Sequence, residues 1–333
     1  MRAACLYAAD DLRIEDVAEP VIVDERDVLL RVEMAGICGS DLHNFHTGQW
    51  ISRSPSVPGH EFVATVLKTG AGVSALKVGD RVVADSRMPC LTCEKCRSGQ
   101  GYLCSQMGFV GEVNDGGFAP LTVQAEQQLI RLPDQSVPSH IAVLAEPLAV
   151  ALHAVNRLGT AVPKDVLVMG AGTIGALTAI LLQHRGARNI ALFDTNQERR
   201  KIFCKALGLD MQGAGELQDN AFDACIDTTG SVGAFETSLS SVKRGGDLVV
   251  VGLYGKNITF DMNRIVEGGL RLSGCAAFDN ELEEAVLLLA ELAPKLACLT
   301  CRQISLDDVP AMYGELSSGA SAVQKALIRH ELI

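Results

Sequence analysis

The segment that most constrains this chain runs from Asp165 to Asp194 and reads DVLVMGAGTIGALTAILLQHRGARNIALFD. DVLVMG (165–170) is a buried strand, TIGALTAILLQHRG (173–186) a helix, and NIALFD (189–194) a second strand. Gly170, Gly172 and Gly175 stand where the first strand gives way to the helix. The first glycine permits the tight turn, the second lets the backbone approach a pyrophosphate, and the third lets helix and strand pack closely. Asp194 follows Gly175 by nineteen positions, where a carboxylate accepts hydrogen bonds from ribose hydroxyls. A glycine turn that only shapes a βαβ unit does not account for that acid. The cofactor-binding candidates are therefore Gly170, Gly172, Thr173, Ile174, Gly175 and Asp194, with Arg199 and, further on, Val251 and Gly252. Asp194 repels a 2′-phosphate, so NAD is expected over NADP; Arg199 and Arg200 are the features that argue the other way.

The strand–helix alternation continues. NQERRKIFCKALG (196–208) is a helix closed by glycine, and FDACIDTTG (222–230), GDLVVVG (246–252) and LRLSGC (270–275) supply further strands. This predicts a doubly wound parallel sheet, a Rossmann domain over residues 151–275. The earlier residues have a different texture, alternating apolar and polar through residues 1–45. RAACLY, LRIEDV, DVLLRVEMAG, FVATVLKTG, DRVVADS and FAPLTVQ predict short antiparallel strands, before IAVLAEPLAVALHAVNRL turns helical. The tail, 276–333, is expected to hold one helix and a strand or two, and to pack back on the first domain. A chain of 333 residues accommodates two domains.

A net charge of −11 argues against a nucleic-acid partner, which needs a basic face. The N-terminus MRAACLYAADDLRIED lacks a basic start and long apolar run, and no stretch reaches the ~20 apolar residues that span a bilayer. The expectation is a cytoplasmic protein without a membrane partner. Eleven cysteines then point to metal sites or buried thiols rather than disulfides. Cys204, Cys225 and Cys275 read as core residues, and Cys298 and Cys301 as plain thiols without a second pair nearby.

Two constellations carry the metal reading. Cys90, Cys93, Cys96 and Cys104, in CLTCEKCRSGQGYLC, offer four thiolates that close a tetrahedron around a structural zinc in a lobe of about 88–105. An iron–sulfur cluster is the competing metal at that spacing. The second set is dispersed: Cys38 in GICGSDLH, His60 and Glu61 in PGHEF, and Glu146 in AEPLA. One soft and several harder donors are the mixture of a catalytic zinc with an open position.

The order of these motifs resembles the zinc-containing medium-chain alcohol dehydrogenase family along essentially the whole chain. Where many such enzymes carry a second cysteine, Glu146 looks like the polyol dehydrogenase branch. The resemblance implies a GroES-like β-rich catalytic domain from 1–150 and 276–333, joined to the Rossmann domain, with the active site in the cleft between them. It implies two zinc ions per chain and NAD as cofactor. Cys38, His60 and the adjacent Glu61 would bind the catalytic zinc, with Glu146 binding directly or through water. It further implies that zinc activates a hydroxyl, that a hydride passes to the nicotinamide, and that Ser40 and His43 relay the alcohol proton. Read without it, Ser40 caps a turn and His43 lies at the surface. Trp50 and Phe118 are candidates to line the substrate cleft, Phe118 equally a core residue. The branch commonly has an arginine before an aromatic where this chain has Ala277 before Phe278, and some members a tyrosine where it has Asn44. The substrate is thus a small-molecule alcohol: a polyol, sugar acid, vicinal diol or hydroxy-amino acid, in that order. A homodimer or homotetramer is expected through GDLVVVG and LRLSGC.

Overall fold

The computed structural model describes residues 1–159, 162–211, 217–299 and 301–330, with Asp210 and Met211 described in their backbone alone. Two compact units divide the chain: Met1–Glu146 with Leu282–Ala293 and Cys301–Ile333, and Pro147–Glu281 with Pro294–Thr300.

The first unit opens with the hairpin β1 (Arg2–Ala8) and β2 (Asp11–Asp16), then β3 (Asp27–Gly36). Along β3 the buried positions alternate, and Val28, Leu30 and Val32 enter the core. Helix α1 (Gly39–Thr47) follows, where continuing strands were expected from the alternation through residue 45. Its start is local chemistry: Cys38 is the N-cap, Asp41 accepts a hydrogen bond from the Cys38 N–H at 2.8 Å, and Gly48 ends the helix in the left-handed region. Then come β4 (Glu61–Thr69), β5 (Arg81–Ala84), β6 (Arg87–Met88), the short helix α2 (Glu94–Arg97), β7 (Gly108–Phe109), β8 (Leu121–Ala125) and β9 (Leu129–Arg131). Of the segment FAPLTVQ only the second half joins β8; Phe118 instead hydrogen-bonds to Pro58 and Ala4 through its backbone.

Helices α3 (Ser139–Ala142) and α4 (Ala145–Asn156) lead into the second unit. By length and composition the run Ser139–Asn156 could cross a membrane, an exception to the expectation from sequence, but 78% of it is buried inside the protein. The second unit is a six-stranded parallel sheet of β10 (Asp165–Met169), β11 (Asn189–Phe193), β12 (Asp210–Met211), β13 (Phe222–Asp227), β14 (Val242–Val250) and β15 (Arg271–Gly274). Helices α5 (Thr173–His184), α6 (Gln197–Leu207), α7 (Val232–Ser241) and α8 (Asn263–Gly268) connect the strands. The spatial order β12-β11-β10-β13-β14-β15 is that of a Rossmann sheet, with its switch point between β10 and β13. Leu167, Met169, Cys225, Leu248 and the α7 residues Phe235 and Leu239 form one of its cores.

The tail holds two helices, α9 (Glu281–Leu296) and α10 (Val309–Ser317), where one was expected, with β16 (Cys301–Ile304) and β17 (Lys325–Arg329). Pro310 sits in the first turn of α10, where its missing N–H costs nothing, and Tyr313 and Met312 anchor that helix in the core of the first unit. The strands β16 and β17 complete a seven-stranded mixed sheet in the order β16-β17-β3-β4-β5-β9, with β8 also paired to β3. β17 is antiparallel to β3, and β3 to β4.

Candidate metal and cofactor sites

The four-cysteine lobe has the geometry of a closed metal site. Cys93 Sγ lies 3.4 Å from Cys96 Sγ and 3.9 Å from Cys104 Sγ, and Cys90 Sγ is 3.9 Å from Cys96 Sγ. A tetrahedron with zinc–sulfur bonds of about 2.3 Å has edges of about 3.8 Å, so the sulfurs fit zinc. Hydrogen bonds favour the thiolate form at Cys90 and Cys93, while burial and the neighbouring thiols push Cys96 up to about 12. Thr92 Oγ1 and the backbone N–H groups of Thr92 and Cys93 hold Cys90 down at about 6. α2, which carries Cys96, buries none of its residues, so a metal held by the four cysteines would take the place of an apolar core.

The second constellation is built by sheet register. β3 ends and β4 begins side by side, with Gly36 paired to Glu61. That pairing brings Cys38, just beyond β3, to His60 and Glu61 at the head of β4. One ligand atom from each of these three lies within 4.8 Å of the others. His60 and Glu61 are buried. Asp41 Oδ1 lies 3.4 Å from His60 Nδ1, and Ser40 Oγ lies 3.4 Å from His60 Nε2. Burial alone would push the imidazole down, but the carboxylate of Asp41 outweighs it and holds His60 well above its usual value. Both Glu61 oxygens are sealed from solvent, and Oε2 is paired with the Lys325 ammonium in a buried ion pair; Lys325 also donates to Ile37 O at 3.1 Å. A thiol, an imidazole oriented by a carboxylate, and a buried carboxylate paired with one ammonium together fit a zinc ion.

Glu146 stands outside that set of three. Its Oε1 accepts from Ser86 Oγ at 2.7 Å, and burial, reinforced by Glu61 and opposed by His60 and Lys325, pushes it up to about 7. His43 Nε2 pairs with Gln49 Oε1 at 3.0 Å, and its ring lies 4.9 Å from that of Trp50. Asn44 is buried, and its Oδ1 receives the Trp50 N–H at 2.8 Å. Ser40 and His43 share α1 without a direct hydrogen bond. Phe118 is fully buried, its ring packed on the Cα of Gly59, so it belongs to the core and does not line a cleft. Asp41, Ser86 and Lys325 were not singled out from sequence. Asp41 carried a signal, three residues after an N-cap; Lys325, in the apolar run VQKALI, carried none.

In the second unit, register aligns Met169 with Phe193 and Asp227, and Asp227 with Val250. Gly170, Asp194, Thr228 and Val251 therefore stand along one carboxyl edge, at the switch point where such sheets bind nucleotides. Gly170 has φ +101, and a Cβ there would come within 2.6 Å of Thr228 Oγ1. A Cβ on Gly175 would collide with Gly170 O, while Gly172, the N-cap of α5, opens onto free space. Thr173 and Ile174 form the first turn of α5, whose N–H groups suit a phosphate. Asp194 Oδ2 accepts from Ala171 N at 2.7 Å and lies 3.6 Å from Arg199 Nη1. Val251 and Gly252 both donate backbone N–H groups to Asp227 O, at 2.8 and 3.2 Å.

Family models match both regions: residues 24–134 fit the alcohol dehydrogenase GroES-like domain, and 173–291 the zinc-binding dehydrogenase domain. The L-threonine 3-dehydrogenase of Mesorhizobium japonicum is 30% identical over 325 residues, 92% of this chain and 93% of that one. The chain belongs to the zinc-binding alcohol dehydrogenase family. Among solved structures, 2R,3R-butanediol dehydrogenase from Bacillus subtilis superposes with a TM-score of 0.88 at 27% identity, covering 99% of each chain. A candidate zinc-binding dehydrogenase of Sinorhizobium meliloti 1021, solved with NADP, gives 0.88 at 25% identity, again over 99% of each chain. The dehydrogenase is thus a zinc-dependent oxidoreductase acting on an alcohol with NAD(P), of GroES-like plus Rossmann fold, and consistent with the polyol branch.

Proposed function

We propose that this dehydrogenase oxidises a secondary alcohol to a ketone at Cys38, His60 and Glu61, with NAD accepting the hydride. The observation that carries the reading is the convergence of those three donors, buried and held within 4.8 Å of one another. A bound zinc supplies Lewis acidity there, which eases removal of the alcohol proton. The chain's own residues do the rest. Asp41 fixes the His60 ring, Lys325 pairs with Glu61, and Ser86 holds Glu146. Ser40, at His60, takes the alcohol proton and His43 passes it towards solvent. The carbinol C–H pair leaves as hydride, so alcohol and NAD become ketone, NADH and a proton. The cysteine lobe holds the second zinc, as a structural ion.

NAD is favoured over NADP because Asp194 places a buried carboxylate at the end of β11, next to the glycine loop. For the substrate, L-threonine and 2,3-butanediol share one feature with polyols: a second polar group on the carbon beside the carbinol. An alcohol of that kind is our reading, with polyols and sugar acids as the sequence ranks them, and vicinal diols or L-threonine as the alternative. We further infer a homodimer or homotetramer joined through β15, the open edge of its sheet, where Leu272 is 42% exposed. Eleven free cysteines suit a cytoplasmic, reducing compartment.

The deciding experiment measures zinc per chain by elemental analysis, with NADH formation across polyols, sugar acids, diols and threonine. Two zinc ions and NAD-dependent turnover are expected. One zinc, lost on Cys93→Ser but kept on Cys38→Ser, would sink the mechanism.

A further inference from the structure

Asp227 ends β13 and is fully buried. It fastens two neighbouring segments of the chain. On one side, its Oδ1 accepts from Thr229 N at 2.8 Å and from Thr229 Oγ1 at 2.7 Å. On the other, its carbonyl accepts from Val251 and Gly252, and its Oδ2 receives the hydroxyl of Tyr254. The two segments also meet backbone to backbone. Gly230 has φ +68, and a Cβ there would collide with Leu253 O, while a Cβ on Gly252 would collide with Gly230 N. The half-buried Tyr254 ring stands edge-on to Phe235 of α7, with centroids 6.3 Å apart. Beyond Gly252 the chain runs without regular structure to α8 at Asn263, and among the described residues the Tyr254 hydroxyl is its first polar tie to the sheet. Burial and the Asp227 carboxylate push that hydroxyl above the usual phenol value, so it stays a donor at neutral pH. Among the described residues the Val251 carbonyl and the Leu253 N–H make no hydrogen bond within the chain.

We propose that Tyr254 is a positioning residue for the nicotinamide half of the cofactor, holding residues 251–253 in place through its bond to Asp227. The proposal rests on the dinucleotide reading of this edge and deepens it. A Rossmann sheet consists of two mononucleotide-binding halves that meet at the switch point. Asp194, after β11, suits the adenosine ribose, and the first turn of α5, after β10, suits the pyrophosphate. β13 and β14 are left for the other nucleotide, and their carboxyl ends lead into the two segments that Asp227 ties together. Backbone groups serve a ligand at low cost only if they are already held still, because otherwise binding energy is spent on ordering them. The Tyr254 hydroxyl supplies that order from the far side of the segment, without reaching the ligand itself.

The test compares a reduced cofactor with its fragment lacking nicotinamide: NADH with ADP-ribose, and NADPH with 2′-phospho-ADP-ribose. Each is titrated by calorimetry into zinc-loaded wild type and Tyr254→Phe, and the pair that wild type binds more tightly is read. The substitution keeps the ring on Phe235 and removes only the hydroxyl. We expect it to weaken the reduced cofactor by roughly tenfold, the lower end for a hydrogen bond to a charged group, and to leave the fragment within about threefold. Retained fragment binding also reports that the adenosine half is still folded. A fragment weakened as much as the cofactor, or a cofactor not weakened at all, overturns the positioning role while the dinucleotide reading stands. Wild type that binds neither cofactor nor fragment overturns both.

Discussion

The ammonium of Lys325 and the carboxylate of Glu61 form an ion pair in which both side chains are only 1% exposed. Burial alone would lower the pKa of Lys325, yet Glu61, with Cys38 and Glu146, raises it. Such a pair is sensitive to the loss of one member, because the survivor is left charged and dry. Lys325→Met should therefore destabilise the protein by about 3–5 kcal/mol in urea unfolding, and the double variant with Glu61→Gln should recover most of it. A single variant as stable as wild type would show that the Lys325–Glu61 pair does not hold this part of the fold.

Asp41 reaches both Cys38 and His60, the proposed zinc ligands, at once, through the Cys38 N–H and His60 Nδ1. Partners of this kind tune the metal without touching it. Asp41→Asn should weaken one zinc site by about 10- to 100-fold in chelator competition and leave the cysteine-lobe zinc in place. Equal loss from both sites would mean general unfolding instead.

Cofactor choice should turn on Asp194. Asp194→Ser removes the buried carboxylate, with which Arg199 pairs at 3.6 Å, and the repulsion it would offer a 2′-phosphate. The ratio of kcat/KM for NADP over that for NAD should rise by about tenfold or more. An unchanged ratio would place the discrimination elsewhere in the loop.

A pH test of stability can be made at Glu33, on β3. Burial pushes its carboxyl up, but hydrogen bonds from Arg81, Ser139 and Thr65 prevail and hold it below its ordinary 4.5. A carboxyl lowered in the folded state binds fewer protons there than when unfolded, so its contribution is complete above about pH 5 and fades as pH falls through the folded value. Glu33→Gln should cost stability at pH 7, and the gap to wild type should narrow towards about pH 3. A gap that widens on acidification would reverse the sign of the assignment.

Sequence by itself determined the parts whose chemistry is local. Four cysteines within one short loop, and three glycines followed at a set distance by Asp194, announce a metal lobe and a nucleotide turn because backbone geometry over a few residues is enough to build each. The parallel sheet was legible for the same reason, in strands and helices that alternate along the chain. The open pattern of Cys38, His60, Glu61 and Glu146 was legible as a set of donors but not as an arrangement. Only tertiary structure decided that three converge while Glu146 turns to Ser86. It placed Phe118 in the core, divided the tail into two helices, and set Lys325 of β17 against Glu61 of β4. Those facts depend on which strands pair and in what register, and on how much water the packed sheet excludes. A lone lysine in an apolar strand shows its charge environment only when distant segments close around it.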